Sequence, residues 1–340
     1  TGYESGGFGM IKLDGSLTER ARAAGAVARP DDAHRQLFLD ARPPRAQVAV
    51  IYNPLAHFVG GRQRQAAYGG PQGEVAGIER DSLLGIYKAL WPLNVPIDFV
   101  HIDAITADSL KQYKLLYFPY PLMMPSAAAP VLRAYVENGG HLVSEARPGW
   151  NDERGRAAGI IPGLGLHEVF GAREAAIETA PQGHTRIAFS SGATVPARWF
   201  QESFEISRGT VAGRFEDNSP AAVESTFGKG KTLLVGSYPS AAYHSTPTPE
   251  AARWFAGLLA WAGITVPLDA QGGAEVRWLD SGRQRLVFAF NHDAIAKEVT
   301  LNWRDGSQWR AADLITGAAA ETHFTLAPRT VRVLRLSPLN

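Results

Sequence analysis

Residues 47–144 alternate between short apolar runs and amphipathic helical patterns, and this alternation limits the fold more than any other feature of the chain. The apolar runs predict strands at 47–52, 97–102, 115–118 and 141–144, with the longer helices at 78–90 and 127–137. Strands that are buried on both faces and connected by helices form parallel sheets. The spacing therefore predicts an α/β domain of the flavodoxin-like, doubly wound type.

Beyond residue 170 the pattern changes to that of antiparallel hairpins. Strands are predicted at 185–189, 198–206, 212–216, 222–227 and 232–236. The helix predicted at 249–262 carries Trp254, Leu258 and Trp261 on one face, which is typical of a core stripe rather than a ligand platform. From residue 275 onward the pattern contains only short strands and turns, which predict a small antiparallel β-sandwich.

The first residues read as a fragment of a β/α repeat. The chain starts without Met on a Gly-rich apolar stretch, 7–13, which resembles the end of a buried strand. Asp14 and Gly15 make a turn, and Ser16 or Thr18 can cap a helix at 17–28. One such repeat cannot bury its own apolar face. We therefore expect it to dock on the following domain or to belong to a larger assembly outside these residues.

Composition excludes several classes of function. A chain of 340 residues accommodates about two domains, and its net charge of +1 gives no electrostatic footprint for nucleic acid or an anionic membrane. Without cysteine there are no disulfides, thiolate nucleophiles or thiolate metal sites, although the compartment stays undecided. No apolar run reaches the length of a membrane span. We expect neither nucleic acid nor membrane as a partner.

Short motifs for cofactors, metals and acyl transfer fail on their spacing. The run 228–232 ends like a phosphate-binding loop, but Ser225 stands where the first glycine belongs, so a hairpin turn is predicted instead. The glycine pairs at 60–61 and 69–70 lack the dinucleotide-binding spacing, and the histidines lack metal-site spacing. Ser144 ends a strand without the flanking glycines of a nucleophile elbow. The sequence predicts no cofactor and no metal.

Polar side chains concentrate in the loops that follow the first and fourth predicted strands, where open α/β sheets hold ligands. The first loop carries His57, Arg62, Arg64, Tyr68, Glu74, Glu79 and Arg80, and the second carries Glu145, Arg147, Trp150, Asn151, Asp152, Glu153 and Arg154. Aromatic rings beside carboxylates and Arg suit a sugar, which offers an apolar face and hydroxyls. Two surface loops with internal ion pairs explain the same residues equally well.

The order of segments resembles the middle domain of glycoside hydrolase family 42 β-galactosidases. The resemblance rests on the runs 48–52, 87–90, 95–100, 132–140, 161–164, 169–171 and 227–230. It implies a class I glutamine amidotransferase-like domain that forms a trimer, preceded by a catalytic (β/α)8 barrel and followed by a small β domain. The expected domains are then the last strand and helix of the barrel at 1–36, the oligomerisation domain at 45–264 and the β-sandwich at 270–340.

The resemblance also implies a retaining mechanism with two glutamates, an acid/base that follows Asn after the fourth barrel strand and a nucleophile after the seventh. Both are expected upstream of Thr1, and this chain contains no Asn-Glu pair. We expect no catalytic residue here, a loop at 53–77 over an active site, and a β-galactoside-type sugar as the ligand. The candidate sugar-contacting residues are Glu4, His57, Arg62, Tyr68, Glu145 and Trp150.

Two other functions stay open at this point. In the first, the chain is a non-catalytic sugar-binding or assembly subunit of a split glycosidase. In the second, it is an independent hydrolase that uses Ser144 or Glu145. The first alternative predicts a partner chain that contains the catalytic barrel. The second predicts an activity that substitution of either residue abolishes.

Overall fold

The computed structural model describes residues 9–58 and 77–339. They belong to two compact units: a central unit, Ala46–Thr265, and a terminal unit that combines the residues up to Arg45 with those from Val266 onward. The terminal unit begins with helices α1 (Glu19–Ala33) and α2 (Arg35–Asp40). Of the two predicted caps, Thr18 is the one used, since its side chain accepts a hydrogen bond from the Ala21 N–H.

Helix α1 is longer than predicted, because it continues past residue 28 and through Pro30 to Ala33. Proline removes one backbone donor from a helix. The Pro30 carbonyl nevertheless accepts a hydrogen bond from the His34 N–H at 3.0 Å, so the last turn keeps this bond.

The central unit is organised around one nine-stranded sheet. In chain order its strands are β1 (Val48–Tyr52), β2 (Ile97–His101), β3 (Leu115–Phe118), β4 (His141–Ser144), β5 (Ala172–Phe189), β6 (Thr194–Ile206), β7 (Thr210–Arg214), β8 (Pro220–Phe227) and β9 (Gly230–Val235). Their spatial order is β2, β1, β3, β4, β9, β8, β7, β5, β6. The first five strands in this order are parallel, and the remaining pairings are antiparallel.

Helices pack on both the parallel and the antiparallel strands of this sheet. They are α3 (Ile78–Leu90), α4 (Ala107–Leu110), α5 (Ala128–Glu137), α6 (Leu166–Phe170), α7 (Pro239–Ser245) and α8 (Pro249–Trp261), with single 3-10 turns at Trp91–Leu93 and Ile102–Ala104. Strand β3 is buried at every position, as expected for a parallel strand with helices on both faces. Helix α3 has the predicted bounds.

The antiparallel strands are an insertion in the sequence between the neighbouring strands β4 and β9, and this insertion contains more strand than the sequence indicates. Strand β5 starts at Ala172, whereas the sequence predicts a strand only from 185. Its first half includes consecutive small or exposed residues, and register shifts interrupt its pairing with β6 between Glu174 and Ala176. Such irregular pairing hides the alternation on which the prediction depends.

The predicted hairpin at 228–232 is confirmed as the turn between β8 and β9. Gly228 adopts a φ of 59°, and a Cβ atom at this position would lie 2.5 Å from the Glu137 carbonyl oxygen. Only glycine fits this turn without moving the end of α5.

The residues from Val266 onward form two packed antiparallel sheets. Their strands are β10 (Leu268–Gln271), β11 (Glu275–Ser281), β12 (Gln284–Phe290), β13 (Lys297–Trp303), β14 (Trp309–Asp313), β15 (Ala319–Ala320), β16 (His323–Leu326) and β17 (Val331–Pro338). One sheet has the order β10, β13, β16 and the other β11, β12, β17, β14, β15. Residues of both sheets, including Val299 and Leu334, share one core. The predicted sandwich is confirmed, with β10 and β15 as strands that the sequence missed.

Helix α2 packs on this sandwich and completes the terminal unit. Leu37 and Phe38 contact a cluster that includes Leu286 and Leu314, and the Phe38 and Phe288 rings meet edge-on at 6.5 Å. Arg42 and Asp280 exchange backbone hydrogen bonds, each at 2.8 Å. The residues that follow α2 therefore pair with β11.

Candidate functional site

The carboxyl ends of the parallel strands meet at one rim of the central sheet. The order in which successive strands join the sheet reverses there, because β2 lies on one side of β1 and β3 lies on the other. Such a switch point is where open α/β sheets hold ligands. A cavity of about 140 Å³ lies at this point, lined by Asn53, His57, Glu79 and Tyr120 among others. It is smaller than the roughly 300–1,000 Å³ of typical small-molecule sites.

Hydrogen bonds among three segments define the walls of this cavity. The Asn53 Nδ2 donates to the Met123 carbonyl at 2.6 Å, which ties the loop after β1 to the loop after β3. His57 Nδ1 lies 3.1 Å from Glu79 Oε1 at the first turn of α3. The His57 side chain is 64% exposed while that of Glu79 is 7% exposed, so the imidazole is the group that a ligand can reach.

Glu145 directly follows β4 but is buried under the rim. Its Oε1 accepts hydrogen bonds from the Tyr117 hydroxyl and the Ser240 N–H, both at 2.9 Å. Burial raises the pKa of Glu145 to about 7, although hydrogen bonds from Ser240, Tyr117 and Ser82 oppose the shift. The carboxyl connects β3, β4 and the start of α7 from inside the unit.

Arg147 follows Glu145 and organises the second polar loop. Its guanidinium binds both oxygens of Glu174, at 2.7 and 3.2 Å, and lies 4.0 Å from the centre of the Trp150 ring. The Arg147 N–H donates to Glu202 at 2.9 Å. Burial, and then the nearby Glu174 carboxylate, hold the pKa of Glu202 well above its usual range. Trp150 is thus fixed in a half-exposed position by a cation on its face.

Three buried residues at this end of the sheet have left-handed backbones: Tyr120 at φ 48°, Arg147 at φ 59° and Trp199 at φ 77°. The Tyr120 and Trp199 rings stack at 5.8 Å with an angle of 7° between their planes, and Tyr238 packs against both. Bulky buried residues rarely adopt this conformation unless the packing around them offsets its cost. The aromatic rings fill the space behind the switch point, and the remaining opening is small.

Neither a metal-ligating cluster nor a membrane-spanning helix is found among the described residues. Within 9–58 and 77–339, no three His, Asp or Glu side chains gather closely enough to ligate a metal. None of the helices in those ranges combines the length and apolar character of a membrane span.

Two family models match the chain. The β-galactosidase trimerisation domain covers residues 46–258, and the β-galactosidase C-terminal domain covers residues 273–336. The chain belongs to the family 42 β-galactosidases. The two matched regions fall within the central unit and the sandwich, respectively.

Relatives of this family 42 chain agree with that assignment. β-Galactosidase LacZ of Heyndrickxia coagulans is 26% identical over 259 residues, which are 75% of this chain and 36% of LacZ. β-Galactosidase BgaB of a Geobacillus strain is 24% identical over 242 residues, 67% of this chain and 34% of BgaB. The chain therefore spans about a third of the length of the curated relatives that it matches.

Solved structures share the fold of the family 42 chain. The β-galactosidase from Bacillus circulans sp. alkalophilus matches with a TM-score of 0.76 at 21% identity, over 96% of this chain and 47% of that one. An α-L-fucosidase isoenzyme from Paenibacillus thiaminolyticus matches with a TM-score of 0.63 at 15% identity, over 96% of this chain and 54% of that one. Glycosidases of different named specificity thus share this architecture.

The structure places the predicted sugar-contacting residues in three different situations. His57 and Trp150 lie at the rim of the family 42 domain, on the loops after β1 and β4. Glu145 is fully buried, so its carboxylate faces protein groups rather than solvent. Glu4, Arg62 and Tyr68 lie outside the described residues.

Sequence reasoning missed two aromatic residues and one buried acid near the rim. Tyr120, Trp199 and Glu202 belong to no motif, and the positive φ angles of the two aromatic residues arise from tertiary packing. The one usable signal was the position of Tyr120, two residues after the end of the predicted strand 115–118.

Proposed function

We propose that the chain is the assembly portion of a β-galactosidase-like retaining glycoside hydrolase. It provides the oligomerisation domain and loops beside an active site, and the two catalytic glutamates belong to a (β/α)8 barrel outside these residues. The match of the trimerisation-domain model to residues 46–258 carries this proposal. The share of LacZ that the chain covers, 36%, leaves room for such a barrel in a complete enzyme.

The finer architecture follows from the same proposal. We assign residues 1–36 to the last strand and helix of the barrel, 45–264 to the oligomerisation domain and 270–340 to the C-terminal sandwich. The parallel order β2, β1, β3, β4, β9 is that of flavodoxin-like domains and supports an amidotransferase-like ancestry. The position of Ser144 supports the proposal that this domain has no hydrolytic activity of its own, because the Ser144 hydroxyl is buried and donates to the Glu145 carbonyl at 3.1 Å.

The loops at the rim are proposed to border the active site, either of the same subunit or of a neighbour in a homotrimer. His57 supports this role through its exposed imidazole, and Trp150 through an indole that Arg147 holds in place. Glu4, Arg62 and Tyr68 remain predicted contacts for a β-galactoside. Glu145 is better explained as a structural carboxyl, since the Tyr117 and Ser240 hydrogen bonds occupy its Oε1.

Two measurements on the purified 340-residue chain test the proposal. Nitrophenyl β-galactoside should not be hydrolysed, and light scattering should give three times the chain mass of 36.7 kDa. Hydrolysis at the rate of an ordinary glycosidase would place the catalytic residues in this chain and refute the proposed division of labour. A monomer would refute the assembly role while leaving the catalytic claim in place.

A non-catalytic subunit of a split glycosidase is the second candidate. The observation in its favour is that the central unit and the sandwich each have a hydrophobic core of their own, so neither requires a barrel for its packing. Purification from the native source distinguishes the two. A second chain that contains the barrel and co-purifies with this one supports the split form, whereas one polypeptide that contains both parts excludes it.

A further inference from the structure

A second cavity lies in the central unit, away from the carboxyl-end rim. It has a volume of about 460 Å³ and lies between α8 and the strands β5, β7, β8 and β9. Its lining includes Phe189, Glu224, Arg253, Trp254, Gly257 and Trp261. The volume falls within the range of roughly 300–1,000 Å³ that small-molecule sites occupy.

Trp261 forms a fixed aromatic wall of this groove. Its Nε1 donates to Glu224 Oε1 at 3.1 Å, and the His141 ring packs edge-on against it at 5.0 Å. The indole is half-exposed, whereas Trp254, seven residues earlier on the same helix, is only 8% exposed. The sequence indicated a core stripe on α8, and this holds for Trp254 and Leu258 but not fully for Trp261. An oriented and partly exposed indole suits stacking against a ligand.

Gly257 keeps the groove open between the two tryptophans. It lies inside α8, where glycine weakens a helix, and a Cβ atom there would have no neighbour within 4 Å. Packing among the described residues therefore does not require glycine at this position. Because residues three or four apart share a helix face, Gly257 lies beside both Trp254 and Trp261. A side chain at 257 would project into the space next to the indole.

The charges around the groove are balanced. Lys231 Nζ lies 3.8 Å from Glu224 Oε1, and Arg253 pairs with Glu250 at 3.3 Å. Each acid of the groove therefore has a basic partner, either in the lining or next to it, and the groove offers hydrogen-bond donors and acceptors with no unpaired acid. It suits a neutral ligand with many hydroxyls better than a phosphate or a cation.

We propose that this groove binds one pyranose unit of a neutral saccharide. The apolar face of the sugar ring stacks on Trp261, and its hydroxyls bond to the Glu224 carboxylate and the Arg253 guanidinium. The site belongs to the oligomerisation domain and does not depend on the catalytic barrel. Its role, which rests on the proposed function, is to retain saccharide near the catalytic part rather than to cleave it.

Titration of the 340-residue chain with methyl β-galactoside and lactose, followed by tryptophan fluorescence, tests the proposal. We expect saturable binding with a Kd of about 1 mM, and no binding of mannitol, which lacks a ring face. Trp261→Ala removes the platform and Gly257→Leu fills the groove, so each should weaken binding at least about tenfold. Trp91→Ala is the matched control, because Trp91 is also half-buried in the central unit but lies outside the groove.

NMR of the indole N–H groups in the unmodified chain tests the proposal even if a variant fails to fold. The indole N–H signal of Trp261, assigned through Trp261→Phe, should shift on addition of either sugar to the unmodified chain. An unshifted signal overturns the proposal, as does equal loss of affinity in Trp91→Ala. A Trp261→Ala chain that changes its oligomeric state, together with an unmodified chain that binds no sugar, would identify the groove as a contact between copies and also overturn it. Hydrolysis and trimer mass are measured separately, so these outcomes do not depend on the proposed function.

Discussion

Gly85 and Gly257 form a natural pair for testing how closely the central unit is packed. Both lie inside helices, α3 and α8, yet their surroundings are opposite. A Cβ atom on Gly85 would lie 1.8 Å from the Ser240 carbonyl oxygen and 2.6 Å from its carbon, whereas a Cβ atom on Gly257 would meet nothing within 4 Å. The same substitution, glycine to alanine, should therefore have opposite effects on stability.

The two expected magnitudes follow from this geometry. Alanine is favoured over glycine inside a helix by about 1 kcal/mol. At Gly257 nothing opposes that gain, so Gly257→Ala should stabilise the chain by roughly 0.5–1 kcal/mol. At Gly85 the obstacle is backbone, which moves only if α3 and α7 separate, and overpacking of this kind typically costs about 1–3 kcal/mol or more. We expect Gly85→Ala to lose about 2 kcal/mol after the helical gain.

Urea unfolding followed by circular dichroism measures the two differences, and thermal unfolding gives a second reading. For a unit of this size, 1 kcal/mol corresponds to roughly 2–4 °C in Tm. Gly85→Ala should melt below the unmodified chain and Gly257→Ala above it. If Gly85→Ala were as stable as the unmodified chain, the close contact between α3 and α7 would be wrong.

Two further predictions concern the buried carboxyl and the terminal unit. Burial raises the pKa of Glu145 from 4.5 to about 7, so the folded chain holds this proton more tightly than the unfolded chain, and stability should fall as pH rises from about 4.5 to about 7. Glu145→Gln should flatten this fall and raise stability at pH 8. If urea unfolding showed that the free energy of unfolding of Glu145→Gln falls with pH as steeply as that of the unmodified chain, the assignment would be refuted. Phe38→Ala removes the edge-on contact with Phe288 and should destabilise the terminal unit by about 1–2 kcal/mol, seen as a lower Tm. Leu39→Ala serves as the control, because Leu39 is exposed. Equal losses of stability in both variants would show that the contact between the two rings contributes nothing specific.

Local patterns predicted local structure well. Helix α3 and strands β3 and β4 have the predicted bounds, because an amphipathic period and a short buried run are both properties of neighbouring residues. The pairing of β4 with β9 was not predictable, since the antiparallel insertion separates the two strands in sequence. The first half of β5 escaped prediction for a similar reason, because its irregular pairing with β6 obscures a period of two.

The position of the candidate site was more predictable than its contents. The rule that ligands gather at the carboxyl ends of parallel strands placed His57 and Trp150 at the rim. The same rule could not tell that Glu145 points inward, because burial of one residue after a strand depends on the helix that covers it. Tyr120 and Trp199 both have positive φ angles, and their rings contact each other and Tyr238. These contacts join distant segments, so no local pattern records them.

The mutual backbone hydrogen bonds between Arg42 and Asp280 have a consequence for the order of folding. During synthesis Arg42 is added well before Asp280, so α2 has no sandwich to pack on until the residues between them have been synthesised. Loop closure over so long a segment costs entropy, and prior folding of residues 46–265 reduces that cost by shortening the effective loop. We therefore expect the docking of α2 to be among the last events of folding, and Leu37 and Phe38 to stay open to chaperones until it occurs.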